Sequence, residues 1–177
     1  MMREFIKEVL TMPYYKNYSA ESGAVHNISK HEEAVEDLLL KHGYVPANLP
    51  TRGKSSPISI EDRDAAKLDP SNVLLGIPNN SYVSQPCGTH ASPDFIVNSN
   101  GRLYFYECKS SKQTHPTYNG GCPDPHYVYI FSSEKTDETT VFMGSDIVTL
   151  EQRGIIEQIN KEIQSILDRE NARLVEA

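Results

Sequence analysis

Pro93-Asp94, then twelve residues, then Glu107-Cys108-Lys109 form the part of this chain whose residue types and spacing suit chemistry. If Arg102 to Lys109 is a strand, Glu107 and Lys109 share one face with Cα atoms roughly 6.5–7 Å apart, and Cys108 points to the other. A carboxylate and an ammonium then converge on one spot. Asp94 opens the preceding strand, where hairpin pairing brings a second carboxylate beside Glu107, and Pro93 fixes the approach without needing a sheet donor. Two adjacent carboxylates repel unless a proton or cation intervenes, so the expectation is a divalent metal held by Asp94, Glu107 and the backbone carbonyl of Cys108. All three donors are hard oxygens, which favours Mg²⁺, with Mn²⁺ as its substitute. Such an ion takes phosphate oxygens and acidifies a bound water, while Lys109 orients that water and offsets the developing charge. That is an arrangement for cleaving a phosphodiester. The same residues also fit a plain surface hairpin with a Glu–Lys pair, but charges closing so apolar a strand are costly without a purpose.

The elements that must position these residues can be drawn from patterning. Asp94 to Val97, the turn-rich Asn98-Ser99-Asn100-Gly101 and Arg102 to Lys109 read as a β-hairpin. Its second arm carries Leu103 and Phe105 on the Glu107 face and Tyr104 and Tyr106 on the Cys108 face, as a central strand would. Tyr127 to Phe131 and Thr140 to Met143 are two further strands. A helix is predicted from Ser29, which forms a capping box with Glu32, to Lys41 and His42, with Gly43 as its stop. A second capping box, Thr149 with Gln152, opens a final helix whose Ile155, Ile156, Ile159, Ile163, Ile166 and Leu167 recur at helical spacing. That stripe is expected to bury against a sheet or a partner subunit. A short helix is expected from Ile60 to Leu68 amid prolines that exclude long elements.

Length and composition bound the rest. The chain has 177 residues, with 24 acidic and 17 basic side chains and a formal charge of -7. It is read as a single α/β domain over 1–177, with long inserted loops near 44–93 and 110–126. The net charge argues against coating nucleic acid by bulk charge, so a polyanion must be met locally or through bound cations. The longest apolar run, Tyr127 to Phe131, is far short of the roughly 20 residues of a membrane span. Charges scattered through Met1 to Glu8 do not suit a signal peptide, and three cysteines without a close pair suggest a reducing compartment; the cytoplasm is the expected home.

With its twelve-residue gap, the Pro93-Asp94 and Glu107-Cys108-Lys109 pattern closely resembles the PD-(D/E)XK nuclease superfamily. The resemblance directly covers about Ser92 to Lys112. It implies a restriction-endonuclease-like core with a mixed central sheet flanked by helices. It also implies metal binding by Asp94 and Glu107, a catalytic role for Lys109, and products with 5′-phosphate and 3′-hydroxyl ends. Some members add a helical glutamate, and His31 to Tyr44 looks like that helix in archaeal Holliday junction resolvases, with Glu32 at the matching position. Glu32 also completes the cap with Ser29, so both roles stand open. The loop after the motif is rich in donors and acceptors: Ser111, Lys112, Gln113, Thr114, Tyr118 and Asn119 are candidate DNA contacts. Gln113 and Asn119 are of the type that bonds adenine edges, and Lys112 suits a phosphate. The layout looks like a type II restriction endonuclease acting on double-stranded DNA, and a palindromic target would call for a homodimer.

Two rival assignments remain. A structure-specific nuclease, such as a junction resolvase or repair nickase, would share the same catalytic residues. Cys87, His90, Cys122 and His126 form two Cys/His pairs at zinc-compatible spacing, which would suit a non-catalytic nucleic-acid-binding module. Cys108 alternates away from Glu107 into an apolar layer and is expected to be inert. Nucleophile elbows, phosphate-binding glycine loops and dinucleotide fingerprints are missing from the sequence.

Overall fold

The computed structural model describes residues 1–15, 30–50, 56–71, 74–118 and 122–175. It is an α/β fold in which a six-stranded mixed sheet lies between helices. In chain order the elements are α1 (Met2–Val9), α2 (Lys30–Lys41), β1 (Val45–Pro46), α3 (Ile60–Leu68), β2 (Ser81–Ser84), β3 (Phe95–Ser99), β4 (Arg102–Ser111), β5 (Tyr127–Ser133), β6 (Glu138–Met143) and α4 (Leu150–Val175). The strands lie side by side in sequence order. β1 with β2 and β4 with β5 are parallel; the other neighbours are antiparallel.

The hairpin forms over the expected stretch, but β3 runs on through Asn98 and Ser99, which the patterning put in the turn. Asn100 and Gly101 sit at φ 54° and 80°, the left-handed pair that a two-residue turn needs to match strand twist. Asn98 Oδ1 accepts the Gly101 N–H at 3.0 Å and closes the turn. The period-two faces of β4 separate two cores. Tyr106 and Cys108 join Phe5, Val9, Val35 and Leu39 under α1 and α2, while Leu103 and Phe105 join Ile58, Ala66, Tyr127 and Tyr129 under α3. With apolar layers on both sides and strands on both edges, β4 is the central strand.

α2 is held to the sheet at two points. His31, buried and kept neutral because burial lowers its pKa, donates from Nε2 to the Ile130 carbonyl at 3.1 Å. Tyr82 on β2 donates to Glu36 Oε1 at 2.8 Å. Gly43, at φ 81°, ends the helix as expected, and the Tyr44 N–H returns to the Leu39 carbonyl at 3.0 Å. Ser29, the expected cap, lies outside the described residues. α3 has the expected bounds, and its Ser59 accepts the Asp62 N–H.

Three differences from the sequence expectation matter. The stretch 44–93, expected as a long inserted loop, carries β1 and β2 of the sheet. α1 was not anticipated; its Phe5 and Val9, one turn apart, are fully buried against α2 and β4. α4 opens on the expected Thr149 and Gln152 box, each side chain bonding the other's backbone N–H. Its apolar stripe, however, does not bury against the sheet: Ile155, Ile159, Ile163, Ile166 and Leu167 remain 49–56% exposed. The helix leaves the body after its first turns, so the sheet is out of reach. No helix among the described residues is long and apolar enough to cross a membrane.

Candidate active site

Asp94, Glu107 and Lys109 meet at one end of the sheet because the hairpin register puts them there. Phe95 pairs with Tyr106, so the next pair outward is Asp94 with Glu107. Asp94 Oδ2 accepts the Cys108 N–H at 2.7 Å. In a strand the N–H and C=O of one residue point to the same edge, so the Cys108 carbonyl also faces past the end of β3. Lys109 Nζ donates to Glu107 Oε1 at 2.7 Å, and Ser92 Oγ donates to the same oxygen at 3.2 Å. Glu107 Oε2 is buried and has no hydrogen-bond partner among the described residues.

The electrostatics show an excess of negative charge. Burial, then the charges of Glu107 and Glu32, push the Asp94 carboxyl up to about 7, against the Cys108 N–H and Lys109, which favour its ionised form. Burial disfavours the Lys109 ammonium, but Glu107 and Asp94 outweigh it and hold its pKa above the ordinary lysine value. Lys109 is therefore a permanent cation.

Glu32 comes to the same place from the first turn of α2. Gln85, just past β2, donates from Nε2 to Glu32 Oε2 at 3.2 Å and to Asp94 Oδ1 at 3.3 Å. Nothing in the sequence singled out Gln85, since its position opposite Asp94 follows from the pairing of β2 with β3, and β2 lies in a stretch that patterning reads as loop.

These groups open into a cleft of about 980 Å³. One wall is α3, with Arg63 and Lys67 one turn apart; Arg63 donates to the Ser92 carbonyl at 2.7 Å and Lys67 to Asp124 Oδ2 at 2.7 Å. Another is the start of α4, where Arg153 donates to the carbonyls of Cys122 and Pro123. Tyr118 stands at the mouth, its ring edge-on to Tyr129 with centroids 5.5 Å apart. Arg63 and Lys67 fall on a helix that the sequence revealed, but the partner wall could not be known without the fold.

Comparison with family models, with curated proteins and with solved structures gives no match.

Would these residues suit a divalent cation? The donors are hard carboxylate oxygens, Glu107 Oε2 is a buried acceptor without a partner among the described residues, and burial, then the charges of Glu107 and Glu32, raises Asp94. All three features fit such an ion. Among the described residues no three His, Cys, Asp or Glu side chains are grouped so that they could together hold a metal ion. At the carboxylates, Lys109 occupies Glu107 Oε1 and Gln85 lies between Glu32 and Asp94. Of the Cys/His quartet, His90, Cys122 and His126 line the cleft, while the Cys87 thiol turns to the Ser59 carbonyl at 3.9 Å. The Cys108 thiol lies in the core under α1 and α2, and burial, then Asp94 and Glu32, push its pKa well above the ordinary thiol value.

The loop after β4 returns to the cleft at Tyr118. Ser111 Oγ donates to the His115 carbonyl at 2.9 Å and Ser133 Oγ to the Gln113 carbonyl at 2.8 Å, which fixes the loop backbone. The side chains of Lys112, Gln113 and Thr114 are exposed. Asn119 lies outside the described residues.

Proposed function

We propose that this chain is a Mg²⁺-dependent endodeoxyribonuclease with a restriction-endonuclease-like core, acting on double-stranded DNA in the manner of a type II restriction enzyme. The observation that carries the proposal is the convergence of Asp94, Glu107 and Lys109 in one cleft, at the end of a central strand. Asp94, Glu107 and the Cys108 carbonyl would hold the ion. When bound, Mg²⁺ supplies positive charge to the scissile phosphate and makes a water more acidic.

The remaining chemistry belongs to the chain. Lys109 stays protonated and keeps two of its three N–H donors beyond the bond to Glu107, enough to orient a water and to meet a phosphate oxygen as charge builds. Gln113 and Thr114, exposed on a braced loop, suit contact with base edges, and Lys112 suits a phosphate. A homodimer would supply one site per strand.

One observation favours a second reading, a structure-specific nuclease: Glu32 reaches Asp94 through Gln85, the glutamate placement that the junction-resolvase resemblance implies. Digestion of a sequenced plasmid with and without Mg²⁺, followed by end mapping, separates the two. A fixed band pattern with uniform ends supports the restriction reading. Cleavage confined to branched or damaged DNA supports the second. Absence of any cutting across Mg²⁺ and Mn²⁺ concentrations overturns both.

A further inference from the structure

We infer that Gln85 is a positioning residue for the divalent-ion site: its side-chain amide is a neutral two-donor bridge that holds the Glu32 and Asp94 carboxylates side by side. The inference rests on the nuclease reading for the purpose of that bridge, but the bridge itself rests on geometry. Glu32 arrives on a helix and Asp94 on a strand, and Gln85 is the residue that donates to both, at 3.2 and 3.3 Å. An ionised carboxylate accepts only, so the NH₂ end of the amide, with one hydrogen for each partner, must face the pair.

The backbone around Gln85 makes the side chain's aim reproducible. Its N–H donates to the Asp94 carbonyl at 2.8 Å, and its carbonyl accepts the Gly88 N–H at 3.0 Å. Its φ is 47°, in the left-handed region that a residue with a Cβ enters at a cost and glycine enters freely. The turn alone therefore favours glycine. What glutamine adds at this position is the bridge.

The amide is also the right chemistry for the task. A lysine or arginine here would neutralise the carboxylates and compete with a metal ion for them. A leucine would leave both carboxylates without this donor in a buried setting. A neutral amide orients Asp94 Oδ1 while the Cys108 N–H orients Oδ2, and it leaves the negative charge in place for a cation.

Gln85→Gly isolates the side chain, because the backbone conformation suits glycine. In the full chain, without DNA, Mn²⁺ affinity measured by loss of the free-ion paramagnetic resonance signal should fall about 10-fold, the lower end of what second-layer partners contribute. Turnover should drop with the KM for DNA unchanged. Mn²⁺ binding equal to the unsubstituted chain overturns the inference while leaving the nuclease reading intact. No Mn²⁺ binding by the unsubstituted chain overturns the nuclease reading instead. A metal-free readout then judges the bridge: the Gln85 side-chain amide resonance, identified by its absence in Gln85→Gly, should move in Glu32→Gln, and an unmoved resonance sinks the bridge.

Discussion

Lys109 and Glu107, two residues apart on one face of β4, form an ion pair of 2.7 Å whose carboxylate side is 7% exposed and whose ammonium side is 23% exposed. Truncating the lysine leaves Glu107 buried with only Ser92 Oγ as a donor. Breaking a buried pair is expensive, and the partial access of water to Lys109 reduces the cost to about 1–3 kcal/mol. Lys109→Ala should therefore lower the urea midpoint measurably. Cleavage should fall by about 10²–10³-fold through loss of a preorganised donor, with DNA binding retained. Normal cutting by Lys109→Ala would falsify its catalytic assignment.

Asp94 makes stability depend on pH in a direction opposite to that of a salt-bridged carboxylate. Its carboxyl sits at about 7 in the folded chain, raised by burial, Glu107 and Glu32 from an unfolded value near 3.8. Between about pH 4 and 7 the folded state retains a proton that the unfolded state has lost. The stabilisation is complete below that window and is lost as pH rises through it, by at most about 4 kcal/mol at ~1.4 kcal/mol per unit. In chelator, the stability of Asp94→Asn relative to the unsubstituted chain should rise from pH 5 to pH 8. Added Mg²⁺ should restore the unsubstituted chain at pH 8. A difference between the two proteins that does not vary with pH would refute the buried-charge account.

What was legible in the sequence is what is local. Asn100-Gly101 dictates its turn, alternation in β4 dictates its two faces, and together they bring Asp94 opposite Glu107 from residues close in the chain. The Thr149 and Gln152 box likewise marks a helix start through bonds spanning three residues. Gln85 was invisible because its role needs β2 beside β3 and α2 over both, contacts that span 53 residues in the case of Glu32. α1 was missed for a different reason. Its charges masked the Phe5 and Val9 spacing, which becomes a signal only once α2 provides a surface to bury it.

Gly144 shows another nonlocal demand. A Cβ there would lie 1.9 Å from the Asp124 carbonyl oxygen and 2.7 Å from its carbon, both backbone atoms that cannot swing aside. Asp124 also receives Lys67 across the cleft, so displacing it disturbs the wall as well as the core. Gly144→Ala should cost about 2 kcal/mol or more by overpacking, a fall in melting temperature of roughly 4–8 °C for a chain of this size. Calorimetry checks this. A melting temperature within a degree of the original would show that the 122–126 loop yields freely.

The exposed stripe of α4 predicts an oligomer. Ile156, Ile159, Ile163 and Ile166 follow the alternating three-and-four spacing of a coiled-coil seam, on a 26-residue helix whose outer turns pack on nothing else among the described residues. Most helical stability in proteins comes from packing an apolar face, so the proposed homodimer would use this seam. In that homodimer, charge would favour the two helices running antiparallel. Centred between Ile163 and Ile166, that pairing sets Glu162 beside Arg169 of the other copy, twice by symmetry, whereas a parallel pairing stacks Glu170 on itself. Sedimentation equilibrium should show a dimer at micromolar concentration and a monomer for Ile163→Glu, with the melting of the sheet body little changed. Glu162→Arg alone should weaken the dimer, and Arg169→Glu in the same chain should restore it. A monomeric unsubstituted chain would remove the seam from consideration, and failure of the charge swap would remove the antiparallel order.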